Sequence, residues 1–321
     1  MNTVVVTGAT SMLGCALIRS MLRHDVRRVY AVMQPGSKNA GRLPSAPGVK
    51  RIELNCEEYE RLPEMIDDKC DVFYHLAWIP ASKGMYYGVE TGYRNIGQTL
   101  KALEAAHSLG AKTFVGAGSQ AEYGNRRKAI QSPDDPADPV TSYAIAKDAC
   151  RRLLMIKGQE LDIAVQWVRI FSVYGPNDRK GTMISTVLPK LLKSENVRLT
   201  ACEQIWEFLY EDDAGEGLYY AGLSRGSNIY CLGSGAAKPL REFVQEMKRT
   251  ARSDSELFFG AVPYAQGAVM NLHADIQKLR SQTGWPGPRI SFEAGIAAII
   301  EGMRPAQGGT ATQTDSPTDT Q

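Results

Sequence analysis

Short apolar runs alternate with longer stretches in which apolar positions recur every three or four residues, and this alternation fills the first half of the chain. Residues 4–8 (VVVTG), 27–33 (RRVYAVM), 50–54 (KRIEL), 71–78 (DVFYHLAW) and 112–118 (KTFVGAG) are rich in β-branched and aromatic side chains and too short for helices. They are expected as strands. Between them, residues 12–23 and 91–109 place apolar side chains at i, i+3, i+4 and i+7, which is one face of a helix. Apolar strands separated by helices imply a parallel sheet covered on both sides. The expected fold class is α/β, a Rossmann-type doubly wound parallel sheet.

Beyond residue 172 the pattern loosens into short strands (197–200, 229–231, 257–259) and helices (212–223, 239–251, 292–303) among Gly/Pro turns. The expected organisation is a dinucleotide-binding domain over 1–171 and a smaller carboxyl-terminal substrate lobe, interleaved with the sheet, over 172–304. Residues 305–321 contain no aromatic or large aliphatic side chain and read as a disordered tail. No internal repeat is evident.

Charge and composition narrow the function classes. With 37 Lys+Arg against 35 Asp+Glu the net charge is +2, so no field points to nucleic acid or an anionic membrane as partner. No apolar run approaches the roughly 18 residues of a membrane span. The first residues read as a strand rather than a leader, so a cytoplasmic protein is expected. Six cysteines and four histidines are scattered without metal-ligand or disulfide spacing, which leaves buried thiols and no metal site.

Two constellations carry chemistry. Thr7-Gly8-Ala9-Thr10-Ser11-Met12-Leu13-Gly14 follows the first strand and opens an amphipathic helix. Gly8 allows a tight turn and Gly14 allows close helix-on-strand packing. The helix N-terminus offers amide donors to a pyrophosphate. The second strand runs into Gln34, Ser37 and Lys38 with no carboxylate to take a ribose 2′-hydroxyl, and Arg42 lies further on. That favours NADP, with NAD possible, although Lys38 and Arg42 also read as solvated loop charges. The second constellation is Ser142-Tyr143-Ala144-Ile145-Ala146-Lys147, with Ser119 ending the strand before it. Tyr143 and Lys147 share a helix face. An ammonium there lowers the phenol pKa from about 10, so that Tyr143 can exchange a proton near neutral pH while Ser119 holds the reacting oxygen.

The G-x-x-G-x-x-G spacing, with Ser11 at its middle position, resembles the short-chain dehydrogenase/reductase superfamily, and the resemblance covers nearly the whole chain before the tail. It implies that His75-Leu76-Ala77 lies beside the adenosine, with Leu76 and Ala77 contacting cofactor and His75 a hydrogen-bonded strand residue. It also implies that Asn95 supports the active site. The block from Arg169 to Asp178 (RIFSVYGPND) resembles the extended, nucleotide-sugar-modifying branch. There Phe171 and Ser172 would line the nicotinamide and sugar pocket, with Gln120 beside Ser119 and Asn177 on the diphosphate side. In a later block Trp206 stands where that branch usually has a diphosphate-binding Arg. An indole can stack on a base, or it can be core of the lobe.

The Thr-Asp-Glu of sugar-nucleotide 4,6-dehydratases is replaced by Ser119-Gln120-Ala121, and the Cys and His of 3,5-epimerising reductases by Ala121 and Asn177. The segments 34–39 and 116–124 resemble CDP-abequose or paratose synthase-like 4-ketoreductases. Reduction of a nucleotide 4-keto-6-deoxyhexose is therefore expected. The alternatives are 4-epimerisation with tightly held NAD, a 5,6-dehydratase in which Glu122 or another group supplies the base, and a catalytically silent NADP-binding scaffold. The superfamily commonly dimerises through helices such as 91–109 and 143–157, so a homodimer is expected.

Overall fold

The computed structural model describes residues 1–80, 88–125 and 129–303. Its elements run β1 (Thr3–Thr7), α1 (Met12–Arg23), β2 (Arg28–Met33), β3 (Val49–Glu53), α2 (Leu62–Met65), β4 (Val72–His75), α3 (Val89–Ser108), β5 (Thr113–Ser119), α4 (Ser142–Glu160) and β6 (Ala164–Ile170). They continue with β7 (Val173–Tyr174), α5 (Met183–Leu192), β8 (Val197–Arg198), β9 (Ile205–Trp206), β10 (Leu209–Tyr210), α6 (Glu211–Ala221), β11 (Asn228–Leu232), β12 (Lys238–Pro239), α7 (Leu240–Thr250), β13 (Leu257–Phe258), α8 (Gln277–Thr283) and α9 (Phe292–Met303). The expected tail, residues 305–321, lies outside the described residues.

The main sheet has the order β11-β6-β5-β4-β1-β2-β3, and every pairing in it is parallel. Its inner strands are buried on both faces, whereas the edge strand β3 exposes Lys50, Arg51 and Glu53. Val4 and Val6 enter a core with Leu17, Ile18 and Leu218, whereas Val5 enters the opposite one with Phe73, Phe114 and Trp167. This is the expected doubly wound sheet. The strand order reverses between β1 and β4, and ligands in such sheets bind outside the carboxyl ends of strands at that switch point.

The start of α1 is set by Ser11, whose Oγ accepts from the Gly14 amide, and that of α4 by Thr141, whose hydroxyl accepts from the Ala144 amide. Two glycines in β5 make room for an indole. A Cβ at Gly116 or Gly118 would come within 2.7 or 2.4 Å of Trp167.

Residues 172–303 build a third apolar cluster, with Tyr174, Leu188, Phe243, Phe292 and Ile296 at its centre. The same stretch returns to the first body twice. β11, expected as a short lobe strand over 229–231, is the seventh strand of the main sheet, and α6 packs on α1 where Gly215 lets the helices approach. Arg19 of α1 pairs there with Glu211 and Asp212. β6 and α5 were not expected as separate elements.

Candidate active site

Two cavities meet at Leu76, beyond the carboxyl ends of β1, β4 and β5. The first, about 490 Å³, is lined by Gly8, Thr10, Ser11, Gln34, Ser37, Leu76, Ala77 and Trp78, with Asn55, Glu57, Arg94 and Gln98 on its outer side. Gly8 has φ +68°, and a Cβ there would lie 2.6 Å from the Ala77 nitrogen, so the β1 turn and the β4 end touch backbone to backbone. Gly14 packs under the turn, where a Cβ would come 2.4 Å from the Gly8 carbonyl oxygen. The turn into α1 therefore reaches the cavity at Gly8, Thr10 and Ser11. These residues fit a dinucleotide with its pyrophosphate on the helix N-terminus. Thr10 and Ser37 join the two rims through their hydroxyls, 3.2 Å apart.

The second cavity, about 610 Å³, is lined by Leu13, Ser119, Gln120, Tyr143, Phe171, Ser172, Arg179 and Trp206, among other residues. Ser119 is placed by the end of β5. Its Oγ accepts from the Ala121 amide at 3.2 Å, which leaves the hydroxyl proton free to donate. Tyr143 is placed by the first turn of α4. Serine and phenol thus line one cleft, which shares Leu76 with the first cavity. A carbonyl or hydroxyl carbon held there would have a proton donor and a second hydrogen-bond partner.

Lys147 lies one turn further along α4 and is buried, lining neither cavity. Its Nζ donates to the Ala117 carbonyl at 2.7 Å and sits 3.6 Å from the centre of the Trp78 ring. Burial pulls its pKa down to about 8. His75 is a buried strand residue, with Nδ1 2.8 Å from the Thr7 hydroxyl and Nε2 3.3 Å from the Thr99 hydroxyl. Burial takes its pKa down to about 3, so its imidazole is neutral and held.

Residues 4–233 match the model of the NAD dependent epimerase/dehydratase family. The chain belongs to that family. CDP-abequose synthase of Salmonella muenchen is 24% identical over 303 residues, covering 92% of this chain and 96% of that protein. UDP-glucuronate 4-epimerase 1 of Arabidopsis thaliana is 23% identical over 328 residues, covering 93% of this chain and 76% of that one. Among solved structures, UDP-glucose 4-epimerase from Thermotoga maritima with UDP-glucose superposes with a TM-score of 0.81 at 21% identity, over 93% of this chain and 97% of that chain.

Within this epimerase/dehydratase frame, several expected site residues stand elsewhere. Lys38 is exposed and outside the cavity lining, because the turn at Gly36 (φ +64°) leaves Ser37 and Asn39 on the rim instead. Met12 and Gly14 form the first turn of α1 and line neither cavity. The Oγ of Ser11 is occupied in capping α1. Asn95 is turned away from the substrate side. Its amide donates to the carbonyls of Ile79 and Thr91, and its oxygen accepts from the Ile79 amide, so it pins the chain beyond β4. Asn177 lies outside the cleft lining, which takes its neighbours Asp178 and Arg179. Trp206 lines the cleft and donates from Nε1 to the Ser172 hydroxyl at 3.0 Å.

Glu122 is sealed behind Ser119 and faces neither cavity. Its carboxylate accepts from the Ser119 amide (2.8 Å), Trp167 Nε1 (3.0 Å) and Arg169 Nε (2.9 Å), so Glu122 itself is not placed to serve as the base of the 5,6-dehydratase alternative. Reasoning from sequence also missed lining residues. Trp78 directly follows the His-Leu-Ala element and Arg179 directly follows Asp178, so adjacency was a usable signal for both. Val269 and Leu272 reach the cleft from a distant segment with no motif of its own.

The membrane and metal expectations carry narrower statements. Among the described residues no helix is long and apolar enough to cross a membrane, and no cluster of His, Cys, Asp and Glu could hold a metal ion.

Proposed function

We propose that the protein reduces the C4 carbonyl of a nucleotide-activated 4-keto-6-deoxyhexose, using NADP(H), in a site formed by Ser119, Tyr143 and Lys147. The observation that carries this reading is that Ser119 and Tyr143 line the same cleft, which shares Leu76 with the first cavity. A nicotinamide dinucleotide held at the first cavity by Gly8, Thr10, Ser11 and Leu76 would supply the hydride. Tyr143 gives its phenolic proton to the sugar oxygen and Ser119 donates to the same oxygen, while Lys147, buried outside both cavities, favours the remaining phenolate through its charge. Phe171, Ser172 and Trp206 would face the sugar nucleotide, which makes residues 172–303 the larger part of its wall.

Asp178 is the one carboxylate among the described residues of the cleft, and it accepts from the Thr182 hydroxyl and the Arg179 amide. Elimination of water needs a second, free acid–base pair, so reduction or epimerisation fits better than dehydration. The likeness to CDP-abequose synthase over nearly the full length of both chains, and the acid-free rim at Gln34, Ser37 and Asn39, favour reduction with NADP(H). NAD-linked 4-epimerisation is the second reading, favoured by the epimerase relatives. Incubation with CDP-, UDP-, GDP- and dTDP-linked 4-keto-6-deoxyhexoses plus NADPH or NADH decides between them. The proposal expects loss of nicotinamide absorbance in proportion to product. Inversion at C4 with no net cofactor consumption overturns it.

A homodimer belongs to the same proposal. α3 and α4 pack side by side and leave Tyr93, Ile145 and Ile156 exposed at 74, 53 and 60%, an apolar strip typical of a helix-to-helix interface. Light scattering is expected to give twice the chain mass, and Ile156→Glu to give one chain mass with the fold intact by circular dichroism. A monomeric parent protein removes the proposal.

A further inference from the structure

Trp78 touches both members of the α4 pair, and neither the fold nor the proposed chemistry has given it a task. Its ring centre lies 3.6 Å from Lys147 Nζ, and its edge meets the Tyr143 ring at 5.7 Å and 84°. It also lines the dinucleotide cavity, so the indole forms the partition between that cavity and the buried ammonium. We propose that Trp78 is a positioning residue, whose π face holds the Lys147 ammonium against the Ala117 carbonyl and keeps it charged. The importance given to Lys147 rests on the functional reading above; the contact itself does not.

A buried ammonium has three N–H groups to satisfy and loses its hydration shell. Here one N–H goes to the Ala117 carbonyl, and the indole face covers a second side. The neighbouring titratable groups give little else. His75, from β4, is neutral because burial takes its pKa to about 3. Cys150, on α4 itself, is a neutral thiol pushed up to about 11. Asp148 is paired with Arg151 and Arg152. Glu122, on the turn after β5, favours the charged lysine at a distance but is bound to Arg169. Tyr143 presents its ring, 5.8 Å from Nζ. Among the described residues, the π face of the indole thus adds negative potential beside that of the carbonyl.

The sign of the effect separates this role from simple packing. Leu at 78 keeps water out but has no π face, so the charged form loses a partner and Lys147 should titrate lower. If Trp78 served only to exclude water, a smaller side chain would admit solvent and Lys147 would titrate higher. The test is a pH titration of Lys147 Cε by NMR in cofactor-free protein carrying 13C-labelled lysine, with the signal assigned through Lys147→Arg. Trp78→Leu is expected to raise the acid dissociation constant of Lys147 about 3- to 30-fold. Trp78→Phe, which retains a π face, should stay within about threefold of the parent. Trp78→Met serves in place of the Leu variant if that one does not fold. An unchanged or higher midpoint without the π face overturns the proposal. The alkaline limb of the kcat/KM profile should move to lower pH in parallel. If the titration moves and that limb does not, the contact stands and the catalytic reading of Lys147 fails.

Discussion

Tyr143→Phe is expected to lower kcat by about 10²- to 10⁴-fold while leaving dinucleotide affinity within about threefold of the parent, as read by single-turnover hydride transfer and calorimetric titration. The phenol oxygen is the atom removed, and Phe retains the ring that packs edge-on against Trp78. Tyr143 lines the second cavity and not the first, so most of the dinucleotide cradle is untouched. Turnover within tenfold of the parent would mean that another group moves the proton. Ser119 would be the first suspect, since it lines the same cleft. Ser119→Ala should also cost activity, but it removes the acceptor of the Ala121 amide as well, so its loss mixes chemistry with a local capping defect of roughly 1 kcal/mol. Tyr143→Phe is therefore the cleaner probe of proton transfer.

How much of this site was legible in the sequence depends on whether a residue acts through its backbone or through its side chain's surroundings. Gly8, Gly14 and Ser11 were placed correctly in a strand-to-helix turn, because a positive φ, a close approach and a cap are local demands that a short motif satisfies. Tyr143 and Lys147 share a helix, so their common direction follows from spacing alone. Yet spacing could not show that Lys147 is buried behind Trp78, because that depends on how β4 and α4 sit across β5. Glu122 shows the same limit. Its position near Ser119 in the sequence suggested a base, but Gly116 and Gly118 admit the Trp167 indole, and Arg169 comes from β6, so the carboxylate is drawn inward. Asn95 likewise met its partner, the backbone of Ile79, only through tertiary packing. The sheet was legible for the complementary reason. Strands such as 4–8 and 112–118 are apolar on both faces, and only a covered parallel sheet accommodates that.

Arg169→Met is expected to destabilise the fold by about 3–5 kcal/mol, the largest stability effect of any single substitution considered, and to lower Tm by roughly 6–15 °C. Arg169 and Glu122 are almost fully buried, and the guanidinium donates to the Glu122 carboxylate at 2.9 Å and to the Pro133 carbonyl at 3.2 Å. Its Cζ also lies 4.5 Å from the centre of the Tyr123 ring. Methionine has similar reach and fills the space, so the loss comes from a carboxylate left in the interior with only the neutral donors Ser119 N–H and Trp167 Nε1. The loss is read as a lower midpoint in urea denaturation. Glu122→Gln in the same chain keeps an acceptor for Ser119 N–H but removes the charge, so the double variant should recover more than about 1.5 kcal/mol of the single variant's loss. Because the Glu122 oxygen that accepts from Ser119 N–H is part of this network, activity should return along with stability. A double variant no more stable than Arg169→Met would show that the guanidinium acts through packing and its carbonyl contacts rather than through the charge of Glu122.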